Sequence, residues 1–281
     1  MRESLRFIGI ELAGAKNHKT ALAVLEYYPK EGKIFLLDLH DRISGPPQKN
    51  GSKIGDQKLL ELIGELSKPV PNKVQMGVNV PLELPPCITC TRKTCPLPAQ
   101  CVVPSIKWMK QITQKNKGHE FTPYTQRPIE LWVRHKILPQ LPEWAHFEID
   151  ETLGGNRAPL TARMNFLKRH LIKTPLLEVL PKLTTAILTS QLGINKRTVS
   201  TYRHLEQGAH SREEIIETLA ATHGIFIYER DVRKLASSLT AFDALICAYT
   251  TLLASTGKTE KIPTGFPNSS GWIHYPRVKP R

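Results

Sequence analysis

The chain reads as an α/β protein with a β-β-β-α-β core and a helical insertion. Three observations carry this. Apolar runs at 7–12, 20–26 and 34–39 are joined by short polar, Pro- and Gly-containing turns, the pattern of an antiparallel meander. A helical period over 56–66 then separates this meander from a fourth run at 73–80. The stretch 81–174 fits no minimal α/β unit, because it carries a cysteine cluster and several helical segments before strand-like sequence returns at 176–180.

The first run, Phe7 to Leu12, puts Phe7, Gly9 and Glu11 on one face and Ile8, Ile10 and Leu12 on the other. Thr20 to Glu26 and Ile34 to Leu39 follow as strands, and 41–55 reads as a Gly/Pro/Ser/Asn-rich loop. Leu59, Leu60, Ile63 and Leu66 share a helix face, with Asp56 at its start as a cap. The helix acts as a crossover, so Lys73 to Val80 should lie parallel to the first strand. Helices are expected near 105–114, 128–138 and 158–170, within a cap inserted into a single domain of 1–281. Beyond the fifth strand come helices at 182–192, 198–207 and 211–222, a short strand at 225–228 and an apolar helix at 240–255. The tail is Pro-rich and ends in basic residues.

With 281 residues and 40% hydrophobic content the chain can bury a substantial core. Its 39 Lys and Arg against 25 Asp and Glu give a net charge of +14, a field that favours a polyanionic partner, nucleic acid first. No apolar run reaches membrane-spanning length, and the start Met1-Arg2-Glu3-Ser4 has no long apolar region behind it. The expectation is a cytoplasmic protein whose five cysteines are reduced unless they bind metal.

Four polar residues occupy comparable places on this scaffold: Glu11 on the first strand, Asn79 near the end of the fourth, Glu178 in the fifth, and Asp243 in the apolar helix. Ligand sites of open α/β sheets lie at the C-terminal ends of parallel strands. Carboxylates converging there would hold Mg²⁺ or Mn²⁺, since hard cations take oxygen ligands, and such ions promote phosphodiester hydrolysis. Plainer alternatives stand beside this: Glu11 as a strand-end acid facing water, and Asp243 as a capping partner of Thr240. Separately, Cys87, Cys90, Cys95 and Cys101 form C-x2-C-x4-C-x5-C, stiffened by prolines. Four thiols so close suggest Zn²⁺ or, given Cys95-Pro96, an iron–sulfur cluster. Cys247, inside the apolar helix, reads as core.

Four segments, FIGIELAGA at 7–15, GVNVPLELPP at 77–86, LEVLP at 177–181 and FDALICAYTTLLASTG at 242–257, resemble in order and spacing the motifs of the domain of unknown function 429 family of predicted nucleases. The resemblance spans most of the chain and implies a ribonuclease-H-like fold with a metal-dependent nuclease site. It implies metal-binding roles for Glu178 and Asp243, which match the family pattern. Glu11 and Asn79 stand where the family usually has Asp. Glu lengthens the ligand arm by one methylene. Asn removes a charge but keeps an amide oxygen. A weakened or one-metal nuclease, or a nucleic-acid-binding protein on that scaffold, follows from these departures.

Three weaker signals remain. Residues 188–202 resemble a helix-turn-helix around Gly193, against which stands an ordinary helix–Gly–helix joint. The turn Glu11 to Lys16, with Thr20 beyond, resembles the phosphate cradle of actin-like ATPases and kinases, although no second Gly-rich loop accompanies it. Lys107, Lys110, Lys115 and Lys117 form a basic strip that either contacts phosphate or is simply solvated.

Overall fold

The computed structural model describes residues 3–14, 19–43, 55–70, 73–115, 120–172 and 174–278. Three strands open the chain: β1 (Leu5–Glu11), β2 (Ala21–Tyr28) and β3 (Lys33–His40). Helix α1 (Gly55–Ser67) leads to β4 (Val74–Val78). The insertion holds α2 (Leu97–Gln100), α3 (Pro104–Lys115), α4 (Pro128–Trp132) and α5 (Arg157–Lys168). Then come β5 (Leu176–Val179), α6 (Pro181–Gln191), α7 (Lys196–Thr201), α8 (Gly208–His223) and β6 (Ile225–Phe226). The chain closes with α9 (Glu229–Ser237), α10 (Leu239–Ser255) and β7 (Ile273–His274).

Among the described residues the strands form one mixed seven-stranded sheet in the order β6-β3-β2-β1-β4-β5-β7. β2 pairs antiparallel with β1 and with β3, while β4 runs parallel to β1 through the α1 crossover, as the sequence predicts. β5 and β7 continue the parallel side.

Strand alternation sorts the core into two layers. Ile8, Ile10, Leu22, Val24, Met76 and Val78 meet Leu59 and Ile63 of α1 and Met164 and Leu167 of α5. The other face, with Phe7, Ala23 and Leu25, is covered by α10, and residues of α8 and α9 join the same core. Helix α5, expected in a separate cap, is therefore part of the layer on the first of these faces. Gly9 and Gly77 explain how closely α10 lies. A Cβ on Gly9 would overlap the Ala244 carbonyl and the Ala248 amide, and one on Gly77 would overlap Thr251 Oγ1. Two side-chain-free positions on neighbouring strands thus make a trough for the helix backbone.

The element boundaries differ from expectation where periodicity is weak. The helix expected over 198–207 ends at Thr201. Helix α9, ERDVRKLAS, is mostly polar and was not expected; Leu235 and Ala236 are its buried residues. β7 has two residues and is fixed by parallel pairing to β5, not by a local pattern. The Pro-rich tail thus returns to the sheet edge, where Trp272 and Tyr275 are buried beside Leu183 and Ile187.

The helix-turn-helix resemblance resolves into a joint within the core. Gly193 turns the chain at φ +67°, but Leu188, Ile194 and Val199 pack in the same cluster as Phe7 and Phe242. Among the described residues no single helix is long and apolar enough to cross a membrane. The apolar character of α10 is accounted for by burial on nearly every side.

Candidate functional site

Glu11 is the last residue of β1, and the parallel ladder runs one step past β4: the Asn79 amide donates to the Ile10 carbonyl at 3.1 Å. Glu11 and Asn79 therefore lie side by side at the C-terminal ends of two parallel strands. Asn79 Nδ2 donates to Glu11 Oε2 at 2.7 Å. Asn79 Oδ1 is buried with no hydrogen-bond partner. A buried amide oxygen without a donor costs about 1–3 kcal/mol, which a cation or a substrate donor at this point would relieve.

Asp243 joins them from above the sheet. Ser238 caps α10, its Oγ accepting from the Ala241 amide, so Asp243 is not a cap but a buried residue of the second turn. The trough at Gly9 brings this turn down onto the end of β1, where the Asp243 and Glu11 carboxyls feel one another. Burial, and then the Asp243 charge, push Glu11 up from 4.5 to about 8. Burial also raises Asp243, and Arg203 opposes that shift. Burial pushes the Cys247 thiol, one turn along α10, well up, and the Glu11 and Asp243 charges add to this.

Arg203 and Arg157 act on this acid pair, and Lys182 lies near Arg203. Arg203 follows α7, and its Nη1 lies 3.3 Å from Asp243 Oδ1 and 3.2 Å from Oδ2. Its side chain keeps 35% exposure, so the guanidinium faces both the acid and solvent. Arg157, at the start of α5, acts on Glu11 through space. Lys182, at the start of α6, is pulled down by burial and then by Arg203, with Asp150 and Glu148 opposing. Its Nζ lies 4.6 Å from the centre of the Phe147 ring. Sequence patterning did not point to these three; each is an ordinary basic residue near a helix end.

Glu178 is elsewhere. In the β4–β5 register it pairs with Val78, not with Asn79, so its side chain leaves the opposite face of the sheet from Glu11. There it accepts from Arg127 Nη1 at 2.8 Å, from Arg127 Nη2 at 2.6 Å and from the Leu82 amide at 2.9 Å. Arg127 is also held by Glu130, through Nε to Oε1 at 2.9 Å. This buried Glu-Arg-Glu group ties β5 to the insertion, and the sequence carried no signal for Arg127. The structure thus brings together Glu11, Asn79 and Asp243, and leaves Glu178 out.

Among the described residues no three His, Cys, Asp or Glu side chains are gathered around one point as a single ion would require. The oxygen donors at Glu11, Asn79 and Asp243 nevertheless fit a hard divalent cation in kind: two carboxylates and one unpartnered amide oxygen, with Arg203 as the present counter-charge. The cysteine cluster is free of disulfides, with Cys90 and Cys95 exposed and Cys87 and Cys101 half-buried. Burial raises the Cys87 thiol first, and Cys95, Cys101 and Cys90 add to it. In the basic strip Lys107 and Lys115 are exposed, while Lys110 Nζ donates to the Ala99 carbonyl at 2.6 Å. Lys117, and Ala15 and Lys16 of the turn that resembles a phosphate cradle, lie outside the described residues.

Comparison with family models, with curated proteins and with solved structures finds no match to this chain.

Proposed function

We propose that this protein binds nucleic acid and hydrolyses its phosphodiester bonds with Mg²⁺ or Mn²⁺ at the Glu11–Asn79–Asp243 cluster. The observation that carries the reading is a pair of desolvated carboxyls, half-buried Glu11 at the end of β1 and fully buried Asp243 of α10, close enough for the Asp243 charge to raise Glu11. Two desolvated acids side by side disfavour each other's ionised form, and a divalent cation is the chemical group that reverses this. The ribonuclease-H-like reading of the fold is supported by the β-β-β-α-β core, with β2 reversed and β4 parallel to β1.

Glu11 and Asp243 would hold the cation, with Asn79 Oδ1 as the neutral third donor. The bound ion would supply Lewis-acid stabilisation of the phosphoryl oxygens and an acidified water. The chain's own groups do the rest. Asn79 Nδ2 holds the Glu11 carboxyl in a fixed orientation. Burial and the Asp243 charge hold the Glu11 carboxyl above its usual range, and a bound cation would favour its ionised form. Arg203 and Arg157 supply positive charge at the acids, and Lys182 adds to it beside Arg203, suited to the phosphates flanking a scissile bond.

A second reading has its own support. Asp243 is already paired with Arg203, and Glu178 is occupied by Arg127 on the far face. A binding protein that keeps the scaffold without cleavage would look like this, and its affinity would fall steeply with salt.

The test is cleavage of labelled single- and double-stranded DNA and RNA with Mn²⁺, comparing wild type and Asp243→Asn purified side by side. Cleavage by wild type alone supports the nuclease. Equal cleavage by both refutes this site. Salt-sensitive binding without cleavage selects the second reading.

A further inference from the structure

The residues from 87 to 101 pose a separate physical problem. Not one of them is buried, and Ile88 and Leu97 are 51% and 69% exposed. Burial of apolar surface is the main force that orders a folded segment, and here it is missing. The ends are nonetheless fixed. The Cys87 amide donates to the Pro123 carbonyl at 3.0 Å, and Lys110 Nζ holds the Ala99 carbonyl. Between these anchors the backbone turns through Leu97 at φ +65°, a left-handed conformation unusual for a leucine. Within this coreless loop lie four of the chain's five cysteines, all free. Cys87 lies within electrostatic reach of Cys90, Cys95 and Cys101 together.

We infer that Cys87, Cys90, Cys95 and Cys101 form a four-thiolate centre for a thiophilic metal, either a zinc ion or an iron–sulfur cluster, separate from the carboxylate site. The metal takes the place of the missing core: small loops without apolar packing gain their folding free energy from coordination. The four thiols are not gathered around one point as a single ion would require, but a loop with no fully buried side chain can close on its ligand without disrupting a core. Thiolates select zinc or iron–sulfur, and carboxylates select Mg²⁺ or Mn²⁺, so the two sites do not compete for one metal. Closure would also hold out Arg92 and Lys93, exposed between Cys90 and Cys95.

The experiment uses the full chain, expressed with zinc and iron supplied and purified anaerobically with reductant. Metal content, acid-labile sulfide and the visible spectrum are measured for wild type, for Cys90→Ser/Cys95→Ser and for Asp243→Asn. A colourless protein with about one zinc per chain identifies the ion. A brown protein with iron and sulfide identifies the cluster. In either case the metal is lost from the cysteine variant and kept by Asp243→Asn, so the result stands whether or not the carboxylate site is a nuclease. Should the cysteine variant fail to fold, wild type alone decides. Chelator treatment should speed alkylation of these four thiols in a mass-spectrometric readout, and added Co²⁺ should then give thiolate-to-cobalt charge-transfer absorption. Substoichiometric zinc and iron with no cobalt band, or metal retained by the folded cysteine variant, overturns the inference.

Discussion

Asn79 Nδ2 donates to Glu11 Oε2 at 2.7 Å, and the same side chain leaves its Oδ1 buried without a partner. One amide thus orients an acid and presents an unsatisfied oxygen. An Asp at 79 could not donate this bond when ionised, and would put a third carboxyl beside Glu11 and Asp243.

Asn79→Asp should therefore lower stability without metal and strengthen response to it. The expected outcome is a lower melting temperature in chelator and a larger Mn²⁺-induced rise than in wild type. Thermal unfolding with and without Mn²⁺ checks this; an equal Mn²⁺ shift in both proteins would count against a cation at Asn79.

The raised Glu11 carboxyl makes stability depend on pH in a defined direction. Glu11 keeps its proton up to about 8 when folded, against an ordinary value of 4.5. Between those values the folded state binds more protons than the unfolded one, so stability falls as pH rises through the window. Below it both states are protonated and the effect vanishes. Asp243, also raised, acts in the same sense. Metal-free wild type should lose melting temperature from pH 4.5 to 8. Glu11→Gln should flatten that slope and be the more stable protein at pH 8.

How far the sequence reached depended on the kind of signal. Strands β1 to β4 and α1 were legible because their apolar period is local. The adjacency of Glu11 and Asn79 followed from the crossover, which makes β1 and β4 parallel neighbours. The face of Glu178 was not legible, because one residue of register decides it and no local pattern encodes the β4–β5 register. Arg203 and Arg127 reach Asp243 and Glu178 across 40 and 51 residues of sequence, and nothing in their own neighbourhoods marks either as a partner.

Gly9→Ala tests whether the trough positions the site. The added methyl would meet the backbone of Ala244 and Ala248, which cannot move aside as a side chain could. Overpacking of this kind costs about 1–3 kcal/mol, and backbone contact argues for the upper end. Chemical denaturation should show that loss. Where the variant still folds, α10 must lift, and the Mn²⁺-induced stabilisation should shrink as Asp243 moves off Glu11. An unchanged midpoint would mean that the helix does not lie as close as described.

Glu178→Gln and Arg127→Ala separate a structural acid from a metal ligand. In the Glu178–Arg127–Glu130 group all three side chains are buried, and Arg127 is the counter-charge for both acids. Removing Arg127 strands two buried carboxylates, a loss of about 3–5 kcal/mol. Glu178→Gln keeps an oxygen for Arg127 and the Leu82 amide, and Glu130 still pairs the guanidinium, so its cost should be smaller. Because Glu178 leaves the sheet on the face opposite Glu11, Glu178→Gln should bind Mn²⁺ as wild type does in isothermal titration, while Asp243→Asn should not. Loss of Mn²⁺ binding in a folded Glu178→Gln protein would instead make Glu178 a ligand, and would require β5 to shift by one residue against β4.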